Sequence, residues 1–548
     1  MLIKISCKIC IFYNYKELRM DKKNDKRIQN NMINEIVFLM IRFVFILMVG
    51  TAIIVCCFGN QIWYARNQDE ELIIPNFALL ILGITILILL YWILEQKVHI
   101  KSEKVIILCS LCFLIFQMFL TWNYYFKTDW DVEIIVEAAY EVVSGQQEDW
   151  VIDYFSRYPN NRLLVLIYSC IIRIFALFHL ENKAYMGFLL FQCVMSWGTG
   201  LLLYNLSRKL LNSRVIAFGT WGIYCFLIGL SPWVSIPYSD SVGLIFPVAI
   251  LTIYLKTLSL QSISFFQWYL MISLSYIGYK IKPQIVIVMI AIVLISIVRF
   301  ASFVWHSKID NIKRNIKKNN FGIKLLLLTG SVICTVWIVN AGIDTTGFIV
   351  DKEKSFGISH FFMMGMNEDR GGVWDGEDVA ISDACKSAAE RQEVNLSIAK
   401  ERLQKMGVAG FVRQMHRKLL TNYNDGTFCW GGEGVFYKEV LPEKTMFSSL
   451  IRNIYYNREY MGAYFKYFYS FMKMLWLSVL CISLFSGIFK TTNHILLVCM
   501  LTLIGLTIFE QIFEARARYI YIYVPIYILL VPVGMMNLKK IIRGVIHI

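Results

Sequence analysis

The sequence predicts an all-α polytopic membrane protein, and three observations predict it. Apolar residues make up 57% of the chain and charged residues only 17%, with a mean hydropathy of +0.55. A soluble domain carries about half apolar and about a quarter charged residues. Apolar runs of bilayer length, which takes about 20 residues, recur from one end of the chain to the other. The charges that remain collect in the stretches between those runs.

In order, the apolar runs are 36–59, 73–94, 105–122, 163–180, 185–204, 215–229, 242–260, 265–279, 285–303, 325–341, 471–488, 495–513 and 519–535. Loop charge orients them, because Lys and Arg accumulate on the cytoplasmic side. Lys97, Lys101 and Lys104 mark one inside loop. Lys308, Lys313, Arg314, Lys317, Lys318 and Lys324 mark a second, and Lys539, Lys540 and Arg543 an inside tail. Asp69, Glu70 and Glu71 mark an outside loop. Arg208, Lys209 and Arg214 also read as inside, which requires an odd number of crossings between residue 162 and that loop. Two runs lie there, so either one of 163–180 and 185–204 does not cross fully or that loop breaks the rule. About 12 full spans with both termini inside satisfy these constraints.

The domain organisation follows. Residues 1–35 form a cytoplasmic basic tail and 36–122 the N-terminal spans. Residues 123–162 form an external loop and 163–341 the membrane core. Residues 342–470 make an external segment, and 471–548 the C-terminal spans and tail. The first run is too long for the core of a cleavable signal. The net charge of +15 reflects the cytoplasmic loops and not a nucleic-acid partner. Of 14 cysteines most lie in apolar runs. Cys7 and Cys10 lack the second pair that a zinc site needs. Cys385 and Cys429 share the second external segment, as free thiols or as a disulfide.

Candidate chemistry lies in four places on the outer side. The first is Thr128-Asp129-Trp130-Asp131, followed by a helix. Val132, Ile135, Val136, Ala139 and Val143 fall on one face of that helix, and Glu133, Glu137 and Glu141 on the other. The pattern is that of an amphipathic helix on the membrane surface. Asp129 and Asp131 can serve as helix caps or as a general base for a hydroxyl. The second is Tyr154-Phe155-Ser156-Arg157-Tyr158-Pro159-Asn160-Asn161. Interfacial aromatics explain part of it, whereas Arg157, Asn160 and Asn161 suit a sugar or a phosphate. The third is Tyr279-Lys280-Ile281-Lys282-Pro283, where external lysines either snorkel or neutralise an anionic headgroup. The fourth is 510–519, in which Glu514 and Arg518 have the i, i+4 spacing of a helical ion pair. Arg516 and Arg518 are further phosphate candidates. A transporter would instead concentrate such groups at the midplane, between repeats.

These landmarks, in this order and on one side, resemble the GT-C integral membrane glycosyltransferases that use dolichyl- or undecaprenyl-phosphate sugars. Asp131 with Ala138 and Ala139 resembles the family's loop Asp and the helix after it. Tyr158-Pro159-Asn160-Asn161 is similar to a pattern of bacterial members. Lys282-Pro283 and Arg516-Ala517-Arg518-Tyr519 are similar to landmarks near the carrier phosphate. His360–Asn367 with Gly371-Gly372, and Asn424–Phe428, resemble parts of the large external loop. The chain departs from many members in placing three spans before the Asp loop.

The resemblance implies a GT-C-like bundle and inverting transfer of a sugar from a polyprenyl-phosphate donor to a glycan, lipid or protein acceptor of the cell envelope. Asp131 would be the base, with Asp129 second. Lys280, Lys282, Arg516 and Arg518 would hold the donor phosphate. Arg157, Tyr158, Asn160 and Asn161 would bind substrate. No cofactor is implied, although Asp129 and Asp131 could hold a divalent cation. The expected partners are the donor, the acceptor and membrane lipids. The competing classes are a polysaccharide or lipid transporter or flippase, a non-catalytic assembly protein, and an O-antigen-ligase-like polymerase with a diphosphate-linked donor.

Overall fold

The computed structural model describes residues 32–59, 74–98, 100, 102–258, 264–306, 321–434, 436–457 and 462–546. The basic tail before residue 32, the acidic triplet 69–71, Lys101 and the basic run from Lys308 to Lys318 lie outside them. The protein is an all-α polytopic fold, and its helices are numbered here in chain order. The first three are α1 (Met32–Phe58), α2 (Asn76–Lys97) and α3 (Glu103–Tyr124). A group between α3 and the next long helix follows: β1 (Phe126–Thr128), α4 (Trp130–Ser144), α5 (Asp149–Arg157) and α6 (Arg162–Ala176). Next come α7 (Ala184–Leu211), α8 (Arg214–Tyr224), α9 (Ser239–Leu258), α10 (Phe265–Ile281), α11 (Val286–His306) and α12 (Phe321–Asp344). The segment after α12 holds α13 (Ile358–Gly365), α14 (Gly376–Asp383), α15 (Ala388–Tyr423), β2 (Tyr437–Val440) and α16 (Ser448–Tyr455). The last helices are α17 (Phe465–Leu484), α18 (His494–Ile512) and α19 (Ala517–Gly544).

Among the described residues, ten helices are long and apolar enough to cross a bilayer. Two shorter ones complete the alternation between the two ends of the bundle. They are α8 with its π-helical extension to Gly229, and the 17-residue α10. That makes twelve end-to-end passes.

Ion pairs fasten one end. Lys490 meets Glu35 at 2.7 Å and Lys539 meets Glu95 at 2.8 Å, while Arg208 and Arg214 both meet Glu103 at 2.8 Å. Run 163–180 is the one that does not cross. Its helix, α6, has 15 residues, about 22 Å at 1.5 Å per residue. Asn161 before it reaches Tyr238, and Tyr185 after it donates to the Phe126 carbonyl at 3.2 Å, so both flanks stay at the opposite end.

That opposite end carries the site. Here β1 pairs antiparallel with β2, which ties the loop after α3 to the second external segment. The helix expected after Asp131 forms and stops at Gly145, whose left-handed φ of +75° lets its N–H close on the Glu141 carbonyl. Its apolar face does not lie on the bilayer. Val132, Ile135, Ala138 and Ala139 are buried and pack against α6. Apolar side chains elsewhere, such as Leu326, Ile333 and Trp337 on α12, face outward, as a bilayer allows.

Candidate active site at the head of the bundle

Asp129 takes the N-cap position of α4, but its side chain makes no capping bond and it is exposed. Asp131 lies two residues further on and is half buried. Its Oδ2 accepts the Tyr238 hydroxyl at 3.0 Å. The Tyr238 oxygen in turn accepts from Asn161 Nδ2 at 3.4 Å. Tyr154 also turns its hydroxyl to Asp131, and Tyr158 stands within electrostatic reach of it. Burial, with Asp131 beside it, holds the Tyr238 hydroxyl well above its ordinary range, so it remains a donor.

Late residues close over this group. The Arg518 guanidinium lies 4.6 Å from the Trp130 ring centroid and 5.3 Å from that of Tyr238. Glu433 clamps both arginines, meeting Arg516 Nη1 at 2.6 Å and Arg518 Nε at 3.0 Å. Arg516 also meets Glu514 at 3.4 Å. Burial pushes the Glu433 carboxyl up, yet Arg516, Arg518 and Lys282 outweigh it and hold Glu433 below the usual range. Lys282 is buried, pairs with Asp240, and sits 5.1 Å from the Tyr519 ring centroid. Burial lowers its pKa against the opposing pull of Asp240. Arg518 Nη1 is buried with no hydrogen-bond partner, a donor aimed at nothing in the protein.

The backbone carries strain around the same place. Trp130, Asn161, Phe428 and Cys429 adopt φ of +56°, +69°, +56° and +66°. Such conformations cost on the order of 1–3 kcal/mol each and persist only where the surroundings enforce them. Asp425 enforces the last two, since its carboxylate accepts Thr427 N and Cys429 N, each at 2.7 Å.

The structure thus brings together Asp131, Asn161, Lys282, Arg516 and Arg518, with Tyr158 alongside. It does not bring the others. Lys280 stacks 5.6 Å from the Tyr276 ring centroid, on the side of α10 whose Tyr276 bonds Asn340 of α12. Arg157 pairs with Asp153 at 3.1 Å, and Asn160 is exposed. Arg516 is committed to two carboxylates, so Arg518 carries the open nitrogen. The expected Glu514–Arg518 pair is replaced by Glu514–Arg516, because 513–516 are not helical and i, i+4 spacing has no meaning there. Cys385 and Cys429 form no disulfide with each other. Cys429 is buried beside Asp425, while Cys385 bonds the Ile381 carbonyl. Among the described residues no group of three His, Cys, Asp or Glu is placed to hold a metal ion. A cavity of about 400 Å³ lined by Ile358, Phe362, Arg391 and Phe513 lies beside the cluster but does not include Asp131, Lys282 or Arg518.

Sequence reasoning missed Tyr238, Asp240 and Glu433. The only signal for Asp240 was a carboxylate opening an apolar run. Glu433 was hidden in Trp430-Gly431-Gly432-Glu433-Gly434, whose glycines read as a turn and which forms a π-helix.

A model of the family described as "Conserved hypothetical integral membrane protein" matches residues 28–538, and the chain belongs to that family. No curated protein and no solved structure matches it.

Proposed function

With membership of that integral membrane family as the premise, we propose that the protein is a glycosyltransferase. It moves a sugar from a polyprenyl-phosphate donor to a cell-envelope acceptor at the outer membrane face. The observation that carries this reading is the meeting of Asp131 with Arg518 across Tyr238. An ionisable oxygen and an unpartnered guanidinium nitrogen both lie against the Tyr238 side chain, though 387 residues separate them in sequence.

In the proposed reaction Asp131 accepts the proton of the acceptor hydroxyl. The freed oxygen attacks the anomeric carbon from the face opposite the phosphate. As the new C–O bond forms, the bond to the phosphate oxygen breaks and its electron pair leaves with the carrier phosphate. Arg518, with Lys282 behind it, meets the charge that grows on that leaving group. A positioned base contributes about 10²–10⁴-fold, and a fixed donor aimed at developing charge contributes a comparable amount. The three cations Lys282, Arg516 and Arg518 are matched by the carboxylates Asp240, Glu433 and Glu514. Such a balanced set suits the single negative charge of a phosphodiester donor better than a diphosphate.

The test is transfer of labelled sugar in membranes that contain the protein, with monophosphate- and diphosphate-linked polyprenyl donors side by side. Label passing to an acceptor from a monophosphate donor supports the reading. No transfer from any monophosphate donor overturns it, and transfer from diphosphate donors alone points to a ligase-like polymerase.

A further inference from the structure

The hydroxyl of Tyr238 does something its ring does not. The ring alone accounts for packing: it meets Trp130 edge to face at 5.0 Å and lies under Arg518. The hydroxyl is held at both sides, by Asn161 Nδ2 as donor and by Asp131 Oδ2 as acceptor. Asn161 is 1% exposed, sits in a left-handed conformation, and leaves its Oδ1 unpartnered. An asparagine that only began α6 would cap it with its side chain, and Asn161 makes no capping bond. Its amide is spent on Tyr238 instead.

We infer that Asn161 and Tyr238 form a positioning pair that fixes which oxygen of Asp131 faces the acceptor. The inference rests on the glycosyltransferase reading for its role in turnover, but not for its effect on Asp131. Tyr238 ties down Oδ2, so the carboxylate is held in one orientation with Oδ1 outside that bond. A carboxylate that accepts a hydroxyl hydrogen bond is stabilised in its charged form. Other groups face Asp131 as well. Tyr154 and Tyr158 do so from α5 and the turn after it, and Arg518 does so from the head of α19 through the Tyr238 ring. Removing the Tyr238 hydroxyl therefore loosens the orientation of the Asp131 carboxylate without freeing it altogether.

The test uses the full chain in detergent or membranes, with Tyr238→Phe and Asn161→Ala. Tyr238→Phe keeps the ring contacts, so the melting temperature should stay close to that of the wild type. The first measurement needs no substrate. In protein labelled with ¹³C at Asp carboxyls, the signal that Asp131→Asn removes should move in Tyr238→Phe relative to wild type at one fixed pH. An unmoved signal overturns the inference even if the enzyme transfers sugar. The second measurement is turnover. In Tyr238→Phe, kcat should fall about tenfold with donor KM unchanged. Asn161→Ala should lower kcat in the same way by less. A rise in donor KM with kcat unchanged means a purely structural tyrosine and also overturns the inference. Absence of transfer in wild type, with the ¹³C shift present, removes the glycosyltransferase reading and leaves the pairing standing.

Discussion

The Arg518 guanidinium rests 4.6 Å from the ring centroid of Trp130, the residue flanked by Asp129 and Asp131. That one contact joins the first external loop to the head of the last helix. Trp130 is held there at a φ of +56°. A residue strained in this way between two carboxylates, and capped by a buried cation, is what a preorganised site would look like from the backbone.

The two lysines of the Lys280-Ile281-Lys282 turn should behave differently. Lys282 is buried against Asp240, while Lys280 lies over Tyr276 on the opposite side of α10. Lys282→Ala should lower sugar transfer by about 10²-fold or more, and Lys280→Ala by less than about threefold. Equal losses in a transfer assay would contradict this division.

Glu433→Gln should be among the most damaging single changes outside the spans. It removes the carboxylate shared by two buried arginines, and breaking a buried ion pair from one side costs about 3–5 kcal/mol. The expected outcome is a clear fall in melting temperature in detergent together with loss of transfer. A variant as stable as the wild type would show that Glu433 does not hold the arginines.

The segment between α12 and α17 should lose stability in mild acid because of His360. Burial lowers its pKa from 6.5 to about 4, with Asp378 opposing the shift and Arg391 adding to it. Between those values the unfolded chain binds a proton that the folded one refuses. The stability is therefore fully present above pH 6.5 and is lost as pH falls toward 4, by roughly 3 kcal/mol. His360→Gln should flatten melting temperature against pH in that window, and a profile identical to wild type would rule His360 out.

Helix contact in the bundle depends on Gly534. A Cβ there would fall on the Ile482 carbonyl oxygen of α17, and backbone cannot step aside. Gly534→Leu should destabilise the protein by several kcal/mol, whereas Gly330→Leu on α12, with nothing near its Cβ, should be neutral. Thermal melting of the two variants side by side checks this.

The spans were legible in the sequence because bilayer crossing leaves a long apolar signature that tertiary context does not erase. Loop charge added the parity that marks one of runs 163–180 and 185–204 as external. It could not choose between them, because a 15-residue apolar helix packed on α4 and a span look alike in composition. Asp131, Lys282 and Arg518 were legible as polar groups beside spans. Tyr238 and Glu433 were not, since a tyrosine between two apolar runs and a glutamate among glycines carry no periodicity. Which oxygen a carboxylate offers, and which lysine of a pair turns inward, are settled by packing.

The most direct measurement is the rate of labelled-sugar transfer from a polyprenyl-phosphate donor by wild type, Asp131→Asn and Asp129→Asn, each shown folded by its melting temperature. Asp131→Asn should lose about 10²–10⁴-fold, and Asp129→Asn, exposed and without a capping bond, should stay within about threefold. Turnover by Asp131→Asn equal to wild type would contradict the assignment of Asp131 as the base.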